Sequence, residues 1–198
     1  MICFCKSEMN SINIGKSEYF LCSSCGYLRK KYEISDVEQK KRYDNHICDS
    51  GYLKYMNKIY SNISRYLNKG VCLDYGCGQI HALSDILNAN GYECDYYDLF
   101  YYPKLEKKKY DNIILIEVFE HIIDPLKLFR DLKNILNKNG RIIIMTQIIP
   151  EKIDDWWYLR DSTHVSFVTF KAMDILAKIY DMKVEYILDK ALFVFSCI

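Results

Sequence analysis

The stretch 71–78 reads Val-Cys-Leu-Asp-Tyr-Gly-Cys-Gly, an apolar run that leads directly into a turn containing two glycines. Gly76 and Gly78 lack a Cβ atom, so the chain can turn sharply there and bring backbone N–H groups against a ligand. A helix that begins after the turn would add unpaired N–H donors and the positive end of its dipole. The stretch therefore predicts a strand, a tight turn and a helix, with a nucleotide-type ligand held at the turn.

Two later segments also end in acidic residues. The apolar run 92–97 leads to Asp98, and the run 111–117 ends in Glu117 and continues as Val-Phe-Glu-His. An acid at the end of the second strand is placed to accept both hydroxyls of a ribose. Because the carboxyl ends of parallel strands meet at one edge of a sheet, Glu117 is expected to line the same crevice.

The rest of the main segment alternates between the hydrophobic periodicity of helices and that of strands. Helices are predicted over 51–68, about 81–90, about 125–136 and about 168–180, and strands over 71–75, 92–97, 111–117, 141–147, 182–188 and 191–197. Asp124 before Pro125 is a good N-cap with proline at the first helical position. The predicted fold class is α/β, with a doubly wound, mostly parallel sheet.

The first thirty residues hold four of the nine cysteines and predict a small Cys-rich β-ribbon. The ligand candidates for a structural zinc ion are Cys3, Cys5, Cys22 and Cys25. Cys22 and Cys25 form a C-x-x-C pair followed by glycine, the spacing of a zinc knuckle, whereas Cys3 and Cys5 form a shorter C-x-C pair. The alternative is four reduced thiols in a hairpin packed on the main domain.

The other cysteines are given lesser roles. Cys48 is a reserve ligand, and buried core thiols are predicted at Cys72, Cys77, Cys94 and Cys197.

Charge and hydropathy limit the partners. The 27 basic and 26 acidic residues leave a net charge of +1, which gives no strong field for holding nucleic acid. No apolar run approaches the roughly 20 residues needed to span a bilayer. These features predict a cytoplasmic protein with a small-molecule substrate and no membrane partner, and they leave the oligomeric state open.

Taken together, the motifs resemble those of class I S-adenosylmethionine-dependent methyltransferases. Segment 73–78 resembles the first motif, Tyr97-Asp98 the ribose-binding acid, 110–125 the fourth-strand motif and 138–142 the turn before the fifth strand. Segments 42–46 and 157–165 are similar to bacterial methyltransferases that carry an N-terminal zinc-ribbon-like segment. The resemblance implies a zinc-ribbon-like segment at 1–30, a connector at 31–50 and a Rossmann-like methyltransferase domain at 51–198. This domain would bind S-adenosyl-L-methionine.

The resemblance also implies roles for single residues. Asp74, Gly76 and Gly78 would hold the methionine end of the cofactor, Asp98 its ribose, and Glu117 would line the methyl-transfer side. Ile80 replaces a commonly small residue and is expected to crowd the methionine end. The span from Asp98 to Tyr110 is too short for a helix and a strand, so the usual third strand is expected to be shortened or missing.

Two histidines and an aromatic segment are the candidates for catalysis. His121 and His164 could act as the general base if the acceptor keeps a proton at neutral pH, and Trp157, Tyr158 and Arg160 could bind the substrate. Either histidine could instead bond a backbone carbonyl in a structural role, and the tryptophans could belong to the core or to a dimer contact. Glu120 is expected to be a solvated or capping acid.

The leading hypothesis is methyl transfer to a small molecule such as a sugar, a ring or a metabolite. An rRNA or tRNA base methyltransferase that uses the ribbon to contact RNA is one alternative. A non-catalytic regulatory module that binds the cofactor is the other, because the turn at Ile80-His81 is substituted.

Overall fold

The computed structural model describes residues 1–45, 49–187 and 191–198. Its helices are α1 (Asp36–Tyr43), α2 (Ser50–Ile63), α3 (Ala82–Ala89), α4 (Pro125–Ile135) and α5 (Phe170–Ile179). Its strands are β1 (Met9–Ile14), β2 (Ser17–Cys22), β3 (Leu28–Lys30), β4 (Val71–Tyr75), β5 (Glu93–Tyr97), β6 (Tyr110–Ile116), β7 (Leu136–Met145), β8 (Ser166–Phe167), β9 (Met182–Ile187) and β10 (Leu192–Cys197).

The main sheet has six strands in the order β5-β4-β6-β7-β10-β9. Strands β5, β4, β6 and β7 are parallel, and β10 lies antiparallel between β7 and β9. This arrangement confirms the predicted mostly parallel α/β sheet. In the part of the chain that the structure describes, no strand lies beyond β5, so the third strand expected to be shortened or missing is missing.

Helices cover both faces of this sheet. On one face, α4 and α5 pack through Phe129, Leu132 and Met173 against Ile113 of β6. On the other face, α2 and α3 pack through a second cluster that contains Ile114 of the same strand. Because both faces are covered, the consecutive residues 112–115 of β6 are buried, which explains its continuous apolar sequence.

Some predicted boundaries differ from those observed. Strand β7 begins at Leu136 rather than at residue 141, with an irregularity where it pairs with the start of β6. Helix α2 ends at Ile63 and gives way to a short 3-10 turn, Ser64–Tyr66. Residue 188 of the predicted strand 182–188 lies outside the described residues.

The N-terminal ribbon is a second sheet with the order β1-β2-β3-β8. Its last strand, β8, comes from the C-terminal half of the chain and pairs antiparallel with β3. The hydroxyls of Tyr27 and Ser166 are 2.7 Å apart, and Thr169 donates a hydrogen bond to the carbonyl of Cys25. The predicted parts 1–30, 31–50 and 51–198 stay a prediction, and strand pairing crosses the boundary at residue 30.

None of the helices in the three described ranges is long and apolar enough to cross a membrane.

Candidate functional site

A cavity of about 650 Å³ lies at the carboxyl ends of β4, β5 and β6. Gly76, Gly78, Asp98, Glu117 and His121 all line it. Five residues predicted from three separate motifs therefore meet at one site, at the edge of the sheet where ligands bind in doubly wound folds.

The glycine turn adopts a backbone conformation that side chains disfavour. Gly76 and Gly78 have φ angles of +81° and +68°. A Cβ atom at Gly76 would lie 2.5 Å from Cγ2 of Val118, whereas a Cβ at Gly78 would meet no protein atom within 4 Å. Gly76 is thus required for packing, and Gly78 leaves open space beside the cavity.

Asp98 holds this turn in place. Its Oδ2 accepts a hydrogen bond from the N–H of Gly78, and its Oδ1 accepts from the N–H groups of Phe100 and Tyr101. The N–H groups of Gly76 and Cys77 both donate to the carbonyl of Tyr97, just before Asp98. The ends of β4 and β5 are therefore fixed to each other at the cavity.

Asp74 and Ile80 lie off the cavity wall. The carboxyl group of Asp74 is buried, and its Oδ2 accepts the N–H of Ser84 in the first turn of α3. Burial raises the pKa of Asp74 to about 7. Ile80 is 37% exposed and does not line the cavity, so the expectation that it crowds the methionine end stays a prediction without support from the cavity lining.

Glu117 occupies a strained position at the end of β6. Its φ is +52°, a left-handed conformation that costs on the order of 1 kcal/mol for a residue with a side chain. The N–H of Glu117 donates to the carbonyl of Met145, and the hydroxyl of Tyr158 donates to its Oε2 at 2.9 Å. Burial, with a smaller contribution from the neighbouring Glu120, raises the pKa of Glu117 to about 8.

Glu120 is not the solvated acid expected from the sequence. Its exposed fraction is 0%, and burial raises its pKa. Oε2 accepts a hydrogen bond from the hydroxyl of Thr146 at 2.9 Å, whereas Oε1 has no hydrogen-bond partner among the described residues. The sequence missed this because Glu120 lies in a short 3-10 turn, Phe119–His121, which has no periodicity that marks an inner face.

The two candidate histidines lie side by side, with ring centroids 4.9 Å apart. His121 lines the cavity, and its Nδ1 is 3.1 Å from the carbonyl oxygen of Thr163. His164 is 8% exposed and lies behind the wall, with Nδ1 2.8 Å from the carbonyl oxygen of Tyr158. Burial lowers the pKa of both rings, and the pKa of His164 falls to about 4.

The residues predicted to bind the substrate are arranged differently from the expected wall. Tyr158 is buried beneath Glu117, the side chain of Trp157 is 59% exposed, and Arg160 is exposed at the surface. None of these three lines the cavity. The aromatic segment therefore supports the site from behind through Tyr158.

Helices α1 and α2 supply a wall that the sequence did not indicate. Gln39 and Tyr43 of α1, and Tyr52, Tyr55 and Met56 of α2, line the cavity. The segment 31–50 was predicted to be a connector because it is polar, and α1 indeed has no buried residue. An ion pair of 3.0 Å between Arg42 and Asp161 joins α1 to the segment that carries His164.

The four N-terminal cysteines converge on one point. The Sγ atoms of Cys3 and Cys25 are 3.5 Å apart, those of Cys5 and Cys22 are 3.4 Å apart, and all four lie within 4.8 Å of one another. A tetrahedral zinc ion with Zn–S bonds of about 2.3 Å places its sulfur ligands about 3.8 Å apart. The sulfur positions therefore fit a zinc ion.

The short C-x-C pair reaches this geometry through a tighter turn. In the first knuckle the N–H of Lys6 donates to the carbonyl of Cys3, and in the second the N–H of Gly26 donates to that of Cys22. Lys6 and Gly26 both have left-handed φ angles, of +68° and +74°.

The remaining cysteines divide into two groups. Cys72, Cys77 and Cys94 are buried as predicted, whereas Cys197 is only partly buried because it lies near the chain end. The reserve ligand Cys48, and His46 of the segment 42–46, lie outside the described residues.

Comparison with known proteins identifies the family. A family model described as a methyltransferase domain matches residues 52–186. No curated protein matches the chain by sequence. The chain belongs to this methyltransferase domain family, and its sheet is that of the class I S-adenosylmethionine-dependent methyltransferases.

Solved structures support the fold at low identity. The pyocyanin biosynthetic protein PhzM matches with a TM-score of 0.53 and 16% identity over 80% of this chain and 61% of its own, so this chain spans about three fifths of that relative. Magnesium protoporphyrin IX methyltransferase from Synechocystis PCC 6803 with bound SAH matches with a TM-score of 0.53 and 12% identity, over 82% of this chain and 94% of its own. CalS10, an amino pentose methyltransferase from Micromonospora echinaspora, matches with a TM-score of 0.50 and 11% identity, over 85% of this chain and 99% of its own.

Proposed function

We propose that this protein transfers a methyl group from S-adenosylmethionine to a small-molecule acceptor such as a sugar, a ring or another metabolite. The observation that carries the proposal is that the glycine turn, the two strand-end acids and His121 line one cavity. Its volume of about 650 Å³ lies within the range of small-molecule sites. The solved relatives named above include methyltransferases of a tetrapyrrole and of an amino sugar.

The site residues have distinct roles in this proposal. The turn at Gly76 and Gly78 receives the methionine end of the cofactor, and Asp74 supports the turn by anchoring the start of α3. Asp98 accepts the ribose hydroxyls with lone pairs left over from its bonds to backbone N–H groups. Glu117 and His121 face the position where methyl transfer takes place.

The chemistry requires positioning above all. The cofactor supplies a methyl group that is already activated by its sulfonium, so the protein has to hold the acceptor in line with the methyl–sulfur bond. The aromatic side chains of α1 and α2 provide flat apolar surfaces for such an acceptor. His121 lines the cavity, and its imidazole is the group that we propose to act on the acceptor's proton, with His164 packed behind it.

We also propose that the four N-terminal cysteines hold a structural zinc ion. Four thiolates that converge without an open position are typical of a structural rather than a catalytic zinc site. The ion would stiffen the ribbon, which pairs through β3 with β8, only two residues after His164.

Two measurements test the function. Calorimetry with S-adenosylhomocysteine should show one binding site per chain, and a turnover screen with S-adenosylmethionine should reveal methylation of a nucleotide sugar, a phenol or a related metabolite. Absence of cofactor binding would contradict the proposal. Methylation of rRNA or tRNA in preference to every small molecule would favour the alternative hypothesis of an RNA base methyltransferase. The net charge of +1 provides no support for that hypothesis.

A further inference from the structure

The carboxylate of Glu120 is a buried acid with one oxygen that no protein group satisfies. The residue is fully buried, and Oε1 has no hydrogen-bond donor in the described part of the chain. A buried, unpaired carboxylate oxygen costs several kcal/mol unless a cation or a proton compensates for it. The titratable groups around the carboxylate are Tyr158, Glu117 and His121, whose Nε2 is 3.9 Å from Oε1.

The hydrogen bonds of both histidines fix which ring nitrogen is free. Nδ1 of His121 contacts the carbonyl of Thr163, and Nδ1 of His164 contacts the carbonyl of Tyr158. A carbonyl oxygen only accepts, so in the neutral rings Nδ1 carries the proton and Nε2 has the lone pair. An imidazole that donates from one nitrogen to a backbone carbonyl while its other nitrogen is free has the usual orientation of a metal-ligating histidine.

These three side chains converge. One ligand atom each from Glu120, His121 and His164 lies within 4.8 Å of the others. Ligand atoms around an ion with bonds of about 2.1 Å lie roughly 3.0–3.4 Å apart. The distance of 3.9 Å between Oε1 of Glu120 and Nε2 of His121 would reach this value with a side-chain movement of less than about 1 Å.

We propose that Glu120, His121 and His164 bind a divalent first-row transition metal ion, and that a hydroxyl group of the acceptor completes its coordination from the cavity. Two imidazoles and one carboxylate on one side of an ion leave the opposite positions open, and such mixed nitrogen and oxygen ligands suit these metals. Of these three residues His121 lines the cavity, so the site lies directly beside it. The second part of the proposal rests on the proposed methyl transfer; the first part does not.

The ion defines a substrate class, namely acceptors that are methylated at an oxygen. With the ion bound, the two imidazoles are ligands and no longer act on the acceptor's proton: an acceptor hydroxyl bound to the ion becomes more acidic and releases its proton to solvent. The oxygen lone pair then forms the new bond to the methyl carbon while the methyl–sulfur bond breaks and its electron pair returns to sulfur. The products are a methyl ether and the neutral thioether of the spent cofactor, so no oxidant or reductant is needed.

The test is a titration of the full-length, zinc-loaded protein with Mn²⁺, because thiolates select zinc whereas Mn²⁺ prefers oxygen and nitrogen ligands. Wild-type protein should bind one Mn²⁺ per chain by calorimetry and electron paramagnetic resonance, and Glu120→Gln and His164→Asn should each weaken binding at least tenfold. Glu93→Gln makes the same chemical change at the opposite end of the parallel strands and should leave binding unchanged. Lack of a second ion with Mn²⁺, Co²⁺ and Zn²⁺ alike, or unchanged binding in Glu120→Gln, would overturn the proposal.

Both variants are chosen so that the fold is kept. In Glu120→Gln the amide oxygen still accepts the hydrogen bond of Thr146 and a buried ionisable group is removed, so the metal-free melting temperature should not fall. Asparagine at 164 can still donate to the carbonyl of Tyr158 while the free ring nitrogen is lost. If a variant does unfold, Mn²⁺ binding is tested on the wild-type protein instead. Its melting temperature should rise on adding Mn²⁺, and a chelator should reverse the rise.

Calorimetry with S-adenosylhomocysteine in the presence of a chelator separates this inference from the proposed function. Cofactor binding without metal binding would refute the metal site alone. Metal binding without cofactor binding would refute the methyltransferase proposal and, with it, the acceptor part of the inference. Turnover at an acceptor oxygen should be lost with the chelator and restored by added metal. Full activity without the metal would refute the acceptor role.

Discussion

The N–H of Gly78 donates a hydrogen bond of 3.0 Å to Oδ2 of Asp98, which links the turn after β4 to the end of β5. The other carboxylate oxygen accepts the N–H groups of Phe100 and Tyr101. Three backbone donors therefore fix the carboxylate before any ligand arrives. Such preorganisation reduces the entropy lost on binding, because the acid does not have to be ordered by the ligand.

Replacing Asp98 with Asn should weaken binding of S-adenosylhomocysteine by about tenfold to a hundredfold. A hydrogen bond to a charged group is worth about 1.5–3 kcal/mol, and the amide also places a donor against the N–H groups that Asp98 now accepts. Calorimetry measures the change. Asp95→Asn on the same strand, where the acid bonds Tyr110 away from the cavity, is the matched control and should bind normally. Equal affinity in Asp98→Asn would refute the ribose assignment.

Alanine at the two glycines should have different effects. Gly76→Ala forces a Cβ to within 2.5 Å of Val118 at a φ of +81°, so it should lower the free energy of unfolding by about 2–4 kcal/mol. Gly78→Ala meets no protein atom and should cost only about 1–2 kcal/mol, while its methyl group occupies space beside the cofactor.

Urea unfolding and calorimetry separate these two effects. We expect Gly78→Ala to lose cofactor affinity out of proportion to its loss of stability. A Gly78→Ala protein with normal affinity would show that the cofactor does not approach this turn.

Asp74 should contribute to the stability of the ligand-free protein in a way that falls as the pH rises from about 4 to about 7, opposite in sign to the contribution of the buried histidines. Its pKa is raised to about 7 in the folded protein, so the folded state binds the proton more tightly than the unfolded chain, whose pKa is near 4. This stabilisation is fully present when the pH is below the pKa of Asp74 in the unfolded chain. It is lost as the pH rises through the pKa of Asp74 in the folded protein, and it amounts to at most about 4 kcal/mol.

Asp74→Asn should flatten the pH profile, since the amide oxygen still accepts the N–H of Ser84 and no longer titrates. Urea unfolding at several pH values measures this. Asp154→Asn, at an exposed acid in the loop after β7, should leave the profile as it is. A profile that is unchanged in Asp74→Asn would show that the buried acid is not protonated in the folded protein.

The ribbon should contain one zinc ion per chain, detectable by elemental analysis after purification without added metal. Cys22→Ser should abolish it and lower the melting temperature, because the ion crosslinks the knuckle of Cys3 and Cys5 to that of Cys22 and Cys25. Cys197→Ser removes a thiol far from the cluster and should retain the ion. Protein that is free of zinc and equally stable would instead support the alternative of four reduced thiols.

Much of the fold could be read from local patterns. The apolar run of β6 is buried on both faces, and Asp124 caps α4 by accepting the N–H of Lys127, with Pro125 at the first helical position. Periodicity and capping act over a few residues, so they leave a signal in the sequence. The glycine turn and the two strand-end acids could be placed together because parallel strands end at one edge.

Local sequence patterns could not predict two features of the fold. These are the pairing of β3 with β8 and the position of α1 beside the cavity. Strand β8 has only two residues and lies in a stretch without periodicity, and the cavity-lining residues of α1 have an ordinary polar context. Which surface such segments cover depends on the rest of the fold.

The sequence by itself determined the methyltransferase sheet, its glycine turn and the residues at its carboxyl edge, because strand and helix periodicity and turn chemistry are local properties. Only the tertiary structure decided that Glu120 is buried, that His164 packs against His121, and that Tyr158 supports Glu117 rather than facing the cavity. These contacts join segments distant in the chain, and burial and hydrogen-bond partners follow from how such segments pack.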